Sequence, residues 1–203
     1  GYGAPAQDLV LTDRDGRIGW TILGRLPRRF GMDGTFPTSW ADGRKGWDGF
    51  LPASEHPRIY DPPEGLLWTA NNRTVADSRI GFGSADPGGR ARQIRDGLKR
   101  RKAVAEGDML EVQLDDRALF LERWQGLLLA TLARGPMEVR EEVEGWGGRA
   151  APGSVGLRLV KRFRQLVREQ VVRELCAPCY RADPTFNPRY LPGTSEDAVW
   201  ALA

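Results

Sequence analysis

Two short runs rich in apolar residues, Leu9 to Thr12 and Ile18 to Leu23, lie close together in the chain. Asp15-Gly16 stands between the two runs and accepts the positive φ angles of a tight turn, so residues 8–23 are expected to form a β-hairpin. From Pro27 to Pro63 neither a helical nor a strand period is visible. That tract is expected to be a long ordered loop, pinned by Trp40, Trp47 and Phe50. Pro62 and Pro63 then forbid a helix, and Gly65 releases the chain into Leu66 to Ala70, a short apolar run suited to a buried strand. Alternation would put Leu66, Trp68 and Ala70 on one face and Leu67, Thr69 and Asn71 on the other. After Asn72 the chain is too rich in glycine and proline to be regular until Gly89. Helical spacing begins with Arg90, where Ala91, Ile94 and Leu98 recur at three- and four-residue steps. Two longer stripes follow, Phe120, Trp124, Leu127, Leu128 and Thr131, then Val160, Phe163, Val167, Val171 and Leu175 behind a Ser154 cap. Pro178 and the Pro/Asn-rich run to Pro192 are expected to end the helical region, with one short helix starting at Ser195. The pattern predicts an α+β chain, β-rich with long ordered loops over 1–87 and mainly helical over 88–203.

Composition narrows the function classes. The 203 residues are 40% hydrophobic and 28% charged, with a net charge of +3. So small an excess, interleaved with acids and without alternating aromatics, does not build a nucleic-acid surface. Arg158, Lys161, Arg162, Arg168 and Arg173 on the second long helix read as a solvated face. No apolar run approaches the ~18 residues of a membrane span, and Gly1-Tyr-Gly-Ala-Pro has no signal-peptide pattern. Without a starting methionine the chain reads as a processed product or an internal piece.

Candidate chemistry is sparse. The single histidine, His56, precedes a proline-rich turn with no nucleophile motif near it, and reads as a surface-loop residue. Cys176-Ala-Pro-Cys179 has the spacing of a redox dithiol, but Cys176 follows a helix instead of leading one; two ordinary thiols or a local disulfide are the simpler readings. Asn71 ends the predicted strand, where its side-chain amide, a donor that never titrates, could meet a developing oxyanion. An Asn-Asn turn that merely caps the strand is the plainer alternative. Arg90 falls in the first turn of its helix, where a cation opposes the helix dipole unless its side chain turns elsewhere.

Several segments, in this order, carry a resemblance: Leu9-Val-Leu-Thr-Asp-Arg-Asp-Gly-Arg-Ile-Gly-Trp20, Gly24-Arg-Leu-Pro-Arg28, Gly46-Trp-Asp-Gly-Phe-Leu-Pro52, Pro57, Asp61-Pro-Pro-Glu-Gly with Asn71-Asn72, Arg90-Ala-Arg-Gln-Ile94, Val112-Gln-Leu-Asp115 and Trp146-Gly-Gly. Together they resemble the β chain of the penicillin acylase family of N-terminal-nucleophile hydrolases. The stretch from Asn72 to Arg90 is a few residues short of some members, and Gly147 stands where aspartate is usual. The resemblance implies strands of an αββα core followed by helices, in a self-processing precursor that is periplasmic or secreted. It implies cleavage of a small N-acyl amide, such as a β-lactam antibiotic or an acyl homoserine lactone. The nucleophile would be an N-terminal serine outside this chain whose α-amino group, with an ordinary pKa of about 7.7 to 8.0, acts as base. Asn71 aligns with the oxyanion asparagine and Arg90 with the arginine that braces it. No cofactor is needed for the chemistry. A structural calcium is possible, with Asp86 a guess at a ligand, and the partners are the rest of the α and β chains. A non-catalytic binding module on the same scaffold is the alternative.

Overall fold

The structure, a computed structural model, describes residues 5–34, 38–80, 88–188 and 195–202. Strands β1 (Gln7–Thr12) and β2 (Ile18–Leu23) pair antiparallel with Val10 opposite Trp20. Gly16 takes φ 80° in the turn, where the Asp13 carboxylate accepts the Asp15 and Arg17 N–H groups at 2.9 and 3.0 Å. The hairpin is therefore as the Asp15-Gly16 turn and its flanking runs predict.

The tract from Pro27 to Pro63 is more ordered than expected. It holds β3 (Pro27–Phe30), β4 (Gly46–Phe50) and β5 (Arg58–Tyr60). The first two pair with each other, while β5 joins the free edge of β2 to give the order β1-β2-β5. Strands this short span too few alternations to register as a period. Nor do the expected aromatics pin them by burial: Trp40, Trp47 and Phe50 are about half exposed, although the two tryptophan rings lie 5.5 Å apart. The anchors are Leu26 and Leu51, which join Trp20 and Ile22 in a core that Ile59, Leu67, Val75 and Ile80 pack against.

The remaining described elements are helices: α1 (Gly89–Lys99), α2 (Glu106–Gln113), α3 (Glu122–Thr131), α4 (Met137–Glu144), α5 (Val155–Leu175), α6 (Ala177–Ala182) and α7 (Ser195–Leu202). The chain forms two compact units, one running to Arg95 and the other starting at Asp96 and taking in α7. Helix α1 straddles the division. Ala91 and Leu98 are buried, as their spacing predicts.

In the second unit, Ser154 Oγ accepts the Leu157 N–H at 3.2 Å and so starts α5. Val160 is fully buried, and Phe163, Val167 and Val171 pack around the cluster of Trp124, Leu128, Val143, Trp146 and Val199. Leu175, at the end of the stripe, is exposed. Glu196 on α7 is buried and fully engaged: it accepts from Trp124 Nε1 at 3.2 Å and Arg164 Nε at 2.8 Å, and pairs with Arg168 Nε at 3.2 Å. A carboxylate survives there because cations and an indole N–H replace its water. Burial holds the Arg168 guanidinium below its usual pKa, helped by the neighbouring Arg164 charge. Pro178 does not end the helical region; it sits in the first turn of α6, where its missing N–H costs nothing.

Helices α4 and α5 meet at Gly156. A Cβ there would lie 2.4 Å from the Glu142 carbonyl oxygen and 2.6 Å from Trp146 Cβ. Gly156→Ala is expected to destabilise the protein by about 1–3 kcal/mol through overpacking. Gly147→Ala, where an added Cβ meets nothing within 4 Å, is the control for the same thermal-unfolding measurement.

Candidate active site

Leu66 to Ala70 is half-buried but irregular, with a bend at Ala70, and is not the expected strand. Among the described residues no neighbouring strand pairs with it, and without a ladder its backbone groups find other partners. The Ala70 N–H donates to Asn72 Oδ1 at 2.9 Å, and the Ala70 carbonyl accepts from Arg90 Nη2 at 2.8 Å. Leu67 alone of the run packs into the Trp20 core.

Strict alternation also stops here, because Asn71 adopts φ 62°. That left-handed conformation is strained for most L-residues and comparatively tolerable for asparagine. The two adjacent amides are thereby put to different uses. Asn72 is consumed locally, its Oδ1 taken by Ala70 and its Nδ2 donating to the Arg73 carbonyl at 3.2 Å. Asn71 is exposed, and among the described residues no hydrogen bond occupies its carboxamide.

Arg90 reaches this turn from the start of α1, which Gly88 enters at φ 87°. Its guanidinium turns onto the Ala70 carbonyl and so braces the residue before Asn71. Three residues that sequence reasoning missed complete the turn. Thr69 Oγ1 donates to Asp8 Oδ2 at 3.0 Å and lies 3.3 Å from Thr74 Oγ1. Thr69 and Thr74 flank the asparagine pair, which is the only local signal; Asp8 lies on β1, 61 residues away, and gives none. Val10, Trp20, Leu67, Trp68 and Ile94 join the two threonines around a cavity of about 190 Å³. Below the turn, Asp77 bonds Arg79, which holds its carboxyl below the usual carboxylate range, and the Arg79 carbonyl accepts from Arg29 on β3 at 2.9 Å.

The other candidates do not assemble a site. His56 Nδ1 lies 3.0 Å from the Ile22 carbonyl, which can only accept, so the ring is tied to β2 as a donor. Cys176 and Cys179 are both free, which removes the disulfide. Cys176 does precede α6 as well as follow α5, yet burial pushes its thiol pKa up, opposite to what redox chemistry needs. Arg158, Lys161, Arg162 and Arg173 are exposed along an open groove of about 860 Å³ on α5. Among the described residues no group of three or more His, Cys, Asp or Glu could hold a metal ion, and Asp86 lies outside them. No described helix is long and apolar enough to cross a membrane.

An α+β chain with antiparallel sheets leading into helices is the arrangement that comparison with known proteins also finds. The chain belongs to the penicillin amidase family, whose model matches residues 1–201. It is 31% identical over 176 residues to the penicillin acylase 2 proenzyme of Pseudomonas sp. (strain SE83), an alignment covering 84% of this chain and 23% of that protein. It is 33% identical over 125 residues to the acyl-homoserine lactone acylase QuiP of Pseudomonas aeruginosa, covering 59% of this chain and 14% of that one. The chain thus spans under a quarter of the length of these relatives. The fold is similar to a thermostable penicillin G acylase from Alcaligenes faecalis, with a TM-score of 0.56 at 20% identity over 85% of this chain and 34% of that one.

The unequal burial of the two thiols has a direct readout. In the native protein at pH 8, a disulfide reagent such as DTNB is expected to modify Cys179 rapidly and Cys176 only on unfolding. Equal, fast reaction of both would contradict the burial of Cys176.

Proposed function

We propose that this chain is part of an acylase that hydrolyses the amide bond of small N-acyl compounds, in the class of β-lactam antibiotics or acyl homoserine lactones. An N-terminal serine outside these 203 residues attacks the amide carbonyl while its own α-amino group takes the proton. The Asn71 side-chain N–H donates to the oxyanion of the tetrahedral intermediate, and Arg90 braces it. The observation that carries this reading is the division of labour in the turn: Asn72 is spent on the backbone, whereas the Asn71 carboxamide is exposed, has no hydrogen bond among the described residues, and sits on a left-handed residue. Strained residues held by their surroundings concentrate at active sites. The names of the relatives supply the substrate class, penicillins for one and acyl homoserine lactones for the other. Calcium enters no step of this mechanism.

In the complete enzyme, Asn71→Ala is expected to lower kcat by on the order of 10²- to 10³-fold with a smaller change in KM, since the bond strengthens as charge develops. Asn72→Ala, which only loosens the turn, should cost on the order of tenfold or less. Steady-state hydrolysis of a chromogenic acyl anilide measures both. A larger loss at Asn72 would make it the donor, and no loss beyond about threefold at either would refute the oxyanion role.

Lacking the serine, the isolated 203-residue chain should turn over no phenylacetyl or long-chain acyl anilide. Measurable hydrolysis by the purified chain would mean that the chemistry lies elsewhere in it.

A further inference from the structure

We propose that Thr69 is a positioning residue for the oxyanion donor, an inference that rests on the reading of Asn71 given above. The hydrogen-bond directions follow from counting protons. A hydroxyl has one to give, and a carboxylate only accepts. With Thr69 Oγ1 committed to Asp8 Oδ2 at 3.0 Å, the 3.3 Å contact must run from the Thr74 hydroxyl to Thr69. The chain Thr74 to Thr69 to Asp8 therefore has a single direction.

Its geometry accounts for what it does. Thr69 and Thr74 lie on either side of Ala70-Asn71-Asn72-Arg73, so their contact closes the base of the turn, and the Asp8 bond fastens that base to β1. Within the loop, the peptide groups on both sides of Ala70 are gripped, the one before it through its N–H by Asn72 and the one after it through its carbonyl by Arg90. Asn71 follows directly on this clamped residue, and it carries the left-handed φ. Its carboxamide is only one methylene from Cα, so the backbone beneath it sets the few positions that the amide can reach. Both threonines are half-buried against the apolar wall of Val10, Trp20, Leu67 and Ile94, where water competes less for their hydroxyls. Thr69 does not reach the reacting carbonyl itself. Its effect is on where the Asn71 N–H points, and a donor displaced by a fraction of an ångström stabilises the transition state less while substrate still binds.

The test uses the complete enzyme that contains this chain. Thr69→Val keeps the shape and removes both hydrogen bonds; Thr69→Ser keeps the hydroxyl. The valine variant is expected to lose on the order of tenfold in kcat with KM changed less than about twofold, and the serine variant to recover most of it. In an Asn71→Ala background, Thr69→Val should cost no more than about twofold further, because there is no donor left to position. If Thr69→Val folds poorly, Thr74→Val removes only the second hydroxyl and gives the same comparison. Equal losses in both backgrounds would overturn the proposal, as would an unchanged kcat for Thr69→Val beside a large loss for Asn71→Ala, which leaves the Asn71 reading standing. An unchanged kcat for Asn71→Ala itself would remove that reading and this one together.

Discussion

A residue with positive φ breaks the run of regular backbone hydrogen bonding, and the peptide groups beside it must be satisfied one by one. At Asn71 this constraint organises the turn. The Ala70 N–H goes to the next asparagine, the Ala70 carbonyl to an arginine that enters from a helix, and the two ends of the turn are closed by hydroxyls. None of these bonds is strong alone, about 0.5–1.5 kcal/mol net for the neutral ones and about 1.5–3 kcal/mol at most for the one the Arg90 guanidinium donates. Their value is that all of them bear on the one turn, leaving the Asn71 side-chain amide at its surface without a hydrogen bond among the described residues. Chemical readiness here is a by-product of how thoroughly the neighbours are satisfied.

The helical unit solves a similar problem with charge. Glu196 enters the core among Trp124, Arg164 and Arg168, and so connects α7 to α3 and α5 through one carboxylate. Apolar packing supplies the bulk of the stabilisation, but it is non-directional and would tolerate α7 rotated about its axis. The carboxylate would not, because a rotated Glu196 would be buried without its partners. Arg123 stacked 3.6 Å from the Trp200 ring centroid adds a second directional contact on the same helix.

How much of this could be read from residues alone depends on the range of the interaction. The hairpin was legible through the Asp15-Gly16 turn between two apolar runs, α1 and α5 because each repeats a helical period, and the Ser154 cap because it acts three residues away. Strands β3 to β5 were not, since three to five residues cannot establish a period and their anchors, Leu26 and Leu51, lie just outside them. The expected strand at Leu66 to Ala70 failed for the converse reason. Its composition suits a ladder, but pairing depends on a neighbour that composition does not reveal. Asn71 and Arg90 were singled out through family resemblance, whereas Asp8, Thr69 and Thr74 form a hydrogen-bonded chain between residues of the commonest polar types, and nothing local distinguishes them.

The long reach from Asp8 to Thr69 also sets an order of events during folding. The β1–β2 hairpin is a local structure, of a kind that closes in about 1–10 μs. The turn at Asn71 has no carboxylate to fasten to until that hairpin has formed and the 61-residue loop between them has closed. The entropy of closing such a loop grows only slowly with its length, so distance delays this contact more than it weakens it. The left-handed residue is therefore among the last features of its unit to be locked, set after the scaffold that has to bear its strain.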